Sequence, residues 1–308
     1  MRILVTGGAG FIGSHVAEAF LAAGHEVTVL DWEADKKRSN IPAGAKAHNL
    51  DIRSPEVARV FEAGRFDVVS HHAAQVSVSY SVREAAEDAS INLLGVLNLL
   101  ELTVKHGVKK FLHASSGGTV YGPTVHLPAA EDLPFDATSP YGVSKVATEL
   151  YLRVYSMQRG LKFTALRYSN VYGPRQDAHG EAGVVAIFTE KMLTGGKPVI
   201  CGDGEYIRDY VYVGDVARAS VLALDKGEGE GINIGTGVRT STNALFRCLA
   251  GLAGFRGPES HGPDRPGDLR ESYLAIAKAK RVLGWEPTVR LEEGLGLTVD
   301  WFRQKVGA

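Results

Sequence analysis

Cysteine is almost missing from this chain: its 308 residues hold two, Cys201 and Cys248. Two thiols so far apart make neither a disulfide framework nor the spacing of a zinc site, and they fit a reducing compartment. Long apolar runs are missing as well. The first one, Ile3 to Val5, stops at Thr6 and Gly7, too soon for the core of a secretory leader, and no stretch approaches membrane-spanning length. A cytoplasmic protein without a membrane association is expected. The formal net charge is −1 and no block of five or more like charges occurs, so no footprint for nucleic acid is present. The short basic cluster Lys36, Lys37 and Arg38 reads as a solvated loop. No metal site is expected either: His71 and His72 are adjacent, and neighbours on a strand face opposite sides, so they read as packed or cofactor-lining. Repeats and low-complexity segments are absent.

What remains is an ordinary globular composition, 44% hydrophobic and 22% charged, long enough for one large core or two smaller ones. Short apolar runs at 2–5, 26–30, 46–50, 66–71, 109–115 and 162–168 alternate with helical patterns. Among these are Ile12, Val16, Ala19, Phe20 and Leu93, Val96, Leu97, Leu100, Val104, spaced by three and four. Strand, helix, strand, repeated, predicts an α/β fold: a doubly wound parallel sheet of Rossmann type. After about residue 170 Gly and Pro punctuate the chain more densely, as in CGDGEY and GPDRPGD. The expected division is a dinucleotide-binding domain over 1–168, with later segments returning to it, and a smaller mixed, loop-rich lobe over 169–308.

Gly7, Gly10 and Gly13 fall between the first predicted strand and its helix, where a phosphate-binding turn belongs. Residues without Cβ let backbone amides and a helix N-terminus approach a pyrophosphate. The glycines read in two registers, 7-10-13 or 8-10-13. Asp31 closes the second strand, where a carboxylate accepts ribose hydroxyls and repels a 2′-phosphate, so NAD is expected over NADP. The Lys36 to Arg38 cluster pulls the other way but lies beyond the strand end. Asp51 and Ile52 follow the third strand and either flank an adenine or form a strand-terminal turn.

In SPYGVSK, Tyr141 and Lys145 are four apart, so on a helix both address one small volume. With eleven tyrosines in the chain, such a pair carries weight only through its setting. A neighbouring ammonium favours phenolate and is expected to draw the tyrosine pKa from about 10 toward neutrality, making Tyr141 a general base.

TGGAGFIG, Asp31, DI at 51–52, HHAAQVSV at 71–78, SSGGTVYG at 115–122, SPYGVSK at 139–145, LRYSNVYGP at 166–174, RDYVYVGDVA at 208–217 and RPGDLRESY at 265–273 resemble, nearly end to end, the extended short-chain dehydrogenase/reductase family. The resemblance implies NAD held by Gly7, Gly10, Phe11, Ile12, Gly13, Asp31, Asp51, Ile52, Ala73, Ala74, Gln75, Asn92, Tyr141 and Lys145. It also implies a UDP-sugar partner gripped by Asn170, Arg208, Arg265 and Asp268, the two arginines clamping the diphosphate. Dehydratases of the family place Asp and Glu where this chain has Gly118 and Thr119, and decarboxylating relatives place a Glu at the second. Inversion at sugar C4 is therefore the activity implied, on UDP-glucose and UDP-galactose or on N-acetylated or uronic analogues. A dehydratase or reductase of the family, or a noncatalytic NAD-sensing protein, stand as alternatives. The family's sugar-bonding hydroxyl falls at Gly117 here, leaving Ser116 or Thr119 to supply it, with Ser116 favoured. The pocket-gating position falls near Ser272, small enough to admit N-acetylated sugars. Tyr121 and Tyr172 read as packing beside the site. A homodimer is implied, with the Leu-rich segment 93–102 as a candidate face.

Overall fold

A computed structural model of the chain describes residues 1–179, 183–265 and 267–307. The strands run β1 Arg2–Thr6, β2 Glu26–Asp31, β3 Lys46–Asn49, β4 Val68–His71, β5 Lys110–Ser116, β6 Lys162–Tyr168, β7 Asn170–Tyr172, β8 Ile200–Cys201, β9 Ile207–Arg208, β10 Tyr210–Tyr212, β11 Glu230–Ile234, β12 Thr240–Ser241, β13 His261–Gly262 and β14 Glu271–Ser272. The helices are α1 Phe11–Ala22, α2 Val57–Gly64, α3 Val78–Arg83, α4 Ala85–Ala89, α5 Gly95–Lys105, α6 Pro140–Arg159, α7 Val184–Leu193, α8 Val213–Leu222, α9 Thr242–Ala253, α10 Ala277–Leu283 and α11 Leu291–Val306. A π-helical turn, Ser90–Leu94, joins α4 to α5. Among the described residues no helix is long and apolar enough to cross a membrane.

Seven strands form one parallel sheet in the order β11-β6-β5-β4-β1-β2-β3. Strand alternation sorts the side chains onto two faces. Ile3 and Val5 of β1 join a core with Val16, Phe20, Val216 and Trp285, whereas Leu4 joins Phe61, Leu99, Leu100 and Leu152 on the other side. Most of the leucines in the Leu-rich stretch are in or against the core: Leu99, Leu100 and Leu102 are buried, and Leu94 alone of the leucines is well exposed. The order reverses between β1 and β4, and such a reversal opens a crevice at the carboxyl ends of the strands.

Beyond Tyr168 the dense Gly and Pro punctuation separates short elements instead of dissolving them. Helices α7, α9 and α11 enclose a third core around Phe188, Phe246 and Leu295. The small sheets β7-β10, β8-β13 and β12-β9-β14 lie in this region. The chain then re-enters the large sheet through β11, whose Ile232 and Ile234 share the core of Ile3 and Val5.

Candidate active site

The turn after β1 is built so that backbone approaches backbone. Gly7 has φ +69°, and a Cβ on it would lie 2.5 Å from the amide nitrogen of Ala73. A Cβ on Gly13 would lie 2.2 Å from the Gly7 carbonyl oxygen. Gly7 and Gly13 thus hold the turn together, and Gly8 is crowded too, since a Cβ on it would lie 2.9 Å from Val29 Cγ1. Gly10 is the N-cap of α1, and no side chain among the described residues caps that helix start. Its first-turn amides, at Phe11, Ile12 and Gly13, suit an anionic ligand. A dinucleotide pyrophosphate fits this cradle.

Asp31 is buried at the end of β2, accepting hydrogen bonds from the Ala9 N–H at 3.1 Å and the Glu33 N–H at 2.9 Å. It ties the glycine turn to the second strand and leaves its carboxylate at the site's rim. Lys36 and Lys37 both pair with Glu33, at 3.6 and 2.6 Å, so they are drawn into a local ion cluster. Asp51 accepts from Arg53 at 2.7 Å, and that bonding holds its carboxyl below the usual range. Ile52 is buried, with its carbonyl bonded by Asn98 at 2.7 Å. Sequence reading missed Asn40, whose amide donates to the Ala9 carbonyl at 3.0 Å and braces the glycine turn from a distant loop. Only its polar, turn-forming type was visible beforehand.

The segment after β4 passes over Gly7 at Ala73 and continues through Ala74 to Gln75. Asn92, in the π-helical turn, grips Gln75 on both backbone groups, accepting from its N–H at 2.9 Å and donating to its carbonyl at 2.8 Å. Beside this loop His71 bonds Thr6 at 2.7 Å and stacks on His113 at 5.6 Å, while His72 bonds Ser70 at 2.9 Å. The histidines are packing groups kept neutral: burial lowers all three, His72 to about 3.

Helix α6 begins SPYG. Ser139 caps it by accepting from the Gly142 N–H at 3.1 Å, Pro140 occupies the first turn, and the Tyr141 N–H donates to Ser81 at 3.1 Å. Tyr141 is thereby set against the end of β5, where the Ser116 hydroxyl acts on its phenol and favours the ionised form. Ser115 instead points inward and donates to Glu149 at 2.6 Å, part of a buried Glu149–Arg167 pair that also holds Tyr121. Thr119 Oγ1 is buried without a partner among the described residues. A Cβ on Gly117 would lie 2.5 Å from Leu274 Cδ1, so a side chain there requires the buried Leu274 to shift.

Lys145 lies one turn on, its ammonium 5.6 Å from the Tyr141 ring centroid and donating to the Ala114 carbonyl at 2.9 Å. The expected fall in the tyrosine pKa does not occur in the protein alone. Burial pushes Tyr141 up to about 12, with Asp88 adding to the rise, and burial brings Lys145 down to about 8. Desolvation of the phenolate outweighs the Ser116 hydroxyl, which favours ionisation.

On the far side, Asn170 opens β7, donating its N–H to the Asp209 carbonyl at 2.9 Å, with its side-chain oxygen facing Gly118. Asp209 follows Arg208, which pairs with Asp268. Ser272 of β14 stands in register with Arg208. Asn170, Arg208, Asp268 and Ser272 thus belong to one neighbourhood. Arg265 is exposed, tied in through its carbonyl, which accepts from the Asp268 N–H at 3.2 Å. Tyr121 and Tyr172 are both buried in packing.

Residues 3–235 match the NAD dependent epimerase/dehydratase family. The chain belongs to that family. Members of this NAD dependent epimerase/dehydratase family that resemble it include the UDP-glucose 4-epimerase of Mycolicibacterium smegmatis, 43% identical over 311 residues and covering 99% of both chains. The crystal structure of Thermotoga maritima UDP-glucose 4-epimerase with UDP-glucose is 51% identical, with a TM-score of 0.97, covering 99% of this chain and 100% of that one. That of the Thermus thermophilus UDP-glucose 4-epimerase with NAD is 49% identical, with a TM-score of 0.93, covering 98% and 99%. Family membership makes the chain NAD dependent, in keeping with the glycine cradle and Asp31.

Proposed function

We propose that this chain is a UDP-glucose 4-epimerase, inverting the C4 hydroxyl of a UDP-sugar. The observation that carries the reading is the Lys145 ammonium 5.6 Å from the Tyr141 ring centroid at the end of β5, with the Ser116 hydroxyl acting on that phenol and no carboxylate at 118 or 119. The UDP-glucose and NAD complexes of the two bacterial relatives support it.

In this reading the cradle of Gly7, Gly10, Phe11, Ile12 and Gly13 holds the pyrophosphate of NAD, and Asp31 holds its adenosine ribose. Asp51 and Ile52 flank the adenine. Ala73, Ala74 and Gln75, clamped by Asn92, line the dinucleotide on the other side. Bound NAD supplies the acceptor and later the donor of the C4 hydride, and its oxidised ring adds positive charge to the site. Tyr141 takes the 4-hydroxyl proton, Ser116 holds that oxygen in line, and Lys145 keeps a cation beneath the phenol. The sugar passes through its 4-keto form, turns while Arg208, Arg265, Asp268 and Asn170 hold the nucleotide end, and receives hydride on the opposite face. Tyr141 then returns the proton. Ser272, small and in register with Arg208, favours acceptance of N-acetylated sugars as well.

The chain pairs with a second copy through α5 and α6 in this reading. Val143, Leu150, Val154 and Met157 form an exposed apolar stripe along α6, and Leu94 is exposed at the foot of α5. The lobe beyond residue 168 carries the nucleotide-sugar contacts.

Incubation of purified protein with a panel of UDP- and dTDP-sugars, without added cofactor, tests the activity. Interconversion of UDP-glucose and UDP-galactose is expected. A stable 4-keto-6-deoxy product would make the chain a dehydratase, and no turnover of any neutral, N-acetylated or uronic UDP-sugar would reject the reading.

A further inference from the structure

We infer that Asp88 is a positioning residue for Tyr141 and Lys145 and their buried counter-charge. Asp88 has no exposed surface. One carboxylate oxygen accepts from Gln75 Nε2 at 2.8 Å and Asn92 Nδ2 at 3.0 Å. The other accepts from Ser144 Oγ at 2.7 Å. Three donors converging on two oxygens is the pattern of a carboxylate anion.

The three partners explain what the anion holds. Gln75 belongs to the loop that follows β4, and Asn92 clamps that loop's backbone. Ser144 lies on α6 between Tyr141 and Lys145, in the helix whose Thr148 also donates to the Asn92 carbonyl at 3.3 Å. Asp88 thereby bonds the post-β4 loop, the π-helical turn and α6 together through a single side chain. A shift of its carboxylate moves the proposed acid–base pair relative to the dinucleotide loop. Its charge acts on the same pair, favouring the ammonium of Lys145 and opposing the phenolate of Tyr141. The other charged and titratable groups facing Lys145 are Glu149 on α6, His71 at the end of β4 with His72 just after it, and His113 on β5. The three imidazoles are neutral, so Asp88 and Glu149 are the anions that offset its desolvation.

The inference rests on Tyr141 and Lys145 being the acid–base pair, but its first measurement does not depend on turnover. Asp88→Asn keeps the shape, since an amide oxygen accepts from Gln75 and Asn92 while its amide nitrogen faces Ser144, and it removes the charge. In the NAD-holding protein with ε-labelled lysine, the Lys145 resonance is assigned by its loss in Lys145→Met. Its titration midpoint is expected to fall by about one pH unit in Asp88→Asn, the shift an opposite charge at close range produces. The alkaline limb of the kcat profile moves to lower pH by the same amount. Ser144→Ala, which keeps the charge and cuts its tie to α6, is expected to lower kcat about tenfold with KM unchanged. A midpoint unmoved in Asp88→Asn overturns the counter-charge, and an unchanged kcat in Ser144→Ala overturns the positioning. Absence of epimerisation by the unaltered protein would reject the proposed activity and leave the midpoint measurement standing.

Discussion

The Ser116 hydroxyl at the end of β5 acts on the Tyr141 phenol in the first turn of α6, favouring ionisation against the burial that opposes it. The hydroxyl comes from the residue before Gly117, because Leu274 packs where a side chain at 117 would stand. Ser116→Ala is expected to lower kcat about 10- to 100-fold, the cost of removing a hydroxyl that stabilises a neighbouring group as it becomes charged. Thr119→Val, which removes a hydroxyl that bonds nothing among the described residues, is expected to change kcat less than about threefold. Steady-state assays of both variants check the pair, and a reversed order would move the role to Thr119.

Tyr141→Phe removes the proton acceptor while leaving the ring against α6. Turnover should fall by about 10²- to 10⁴-fold, with NAD still carried through purification. Turnover near normal, alongside normal NAD content by absorbance, would take Tyr141 out of the chemistry.

The glycine turn separates two kinds of contact. Gly13→Ala drives a methyl group to 2.2 Å from the Gly7 carbonyl and should yield protein that folds without NAD or fails to fold. Gly10→Ala meets the same carbonyl at 3.1 Å from an ordinary φ of −74° and should keep most of its NAD. Cofactor content after gel filtration distinguishes them.

Burial holds His113 well below its ordinary pKa, and neither ring nitrogen has a hydrogen-bond partner among the described residues. The unfolded chain takes up a proton near pH 6.5 that the folded protein refuses, so stability is full above that pH and falls as the pH drops below it. His113→Phe keeps a ring against His71 and removes one such proton. Between pH 7 and pH 5 it should lose about 2 kcal/mol less unfolding free energy than the unaltered protein. Urea melts at the two pH values measure the difference.

Much of this was legible in the chain because it is local. The run KFTALRY became β6 residue for residue, and the Tyr141 and Lys145 spacing placed both groups at one end of α6. Glycine spacing placed the turn, and close contacts with His72, Ala73, Val29 and Gly7 explain why Gly7, Gly8 and Gly13 all lack a Cβ. What stayed hidden depends on distant parts meeting. The tyrosine pKa follows from burial, which no spacing reports. The Leu-rich segment has one helical period whether it faces a core or another subunit, and Leu99, Leu100 and Leu102 turned out to face the core. Asp88 gave no sign of its role, since Ser144 lies 56 residues away.

β11 has a consequence for how the chain is divided. It seals the outer side of β6, pairing Glu230 to Ile234 with Thr164 to Tyr168. A chain stopped after Tyr168 would leave β6 as a bare edge, a row of unpaired amides and carbonyls beside Leu166 and Tyr168 that invites pairing with another molecule. The first half of the sequence contains the dinucleotide cradle but not its own selvedge, and expressed by itself it is set up to aggregate.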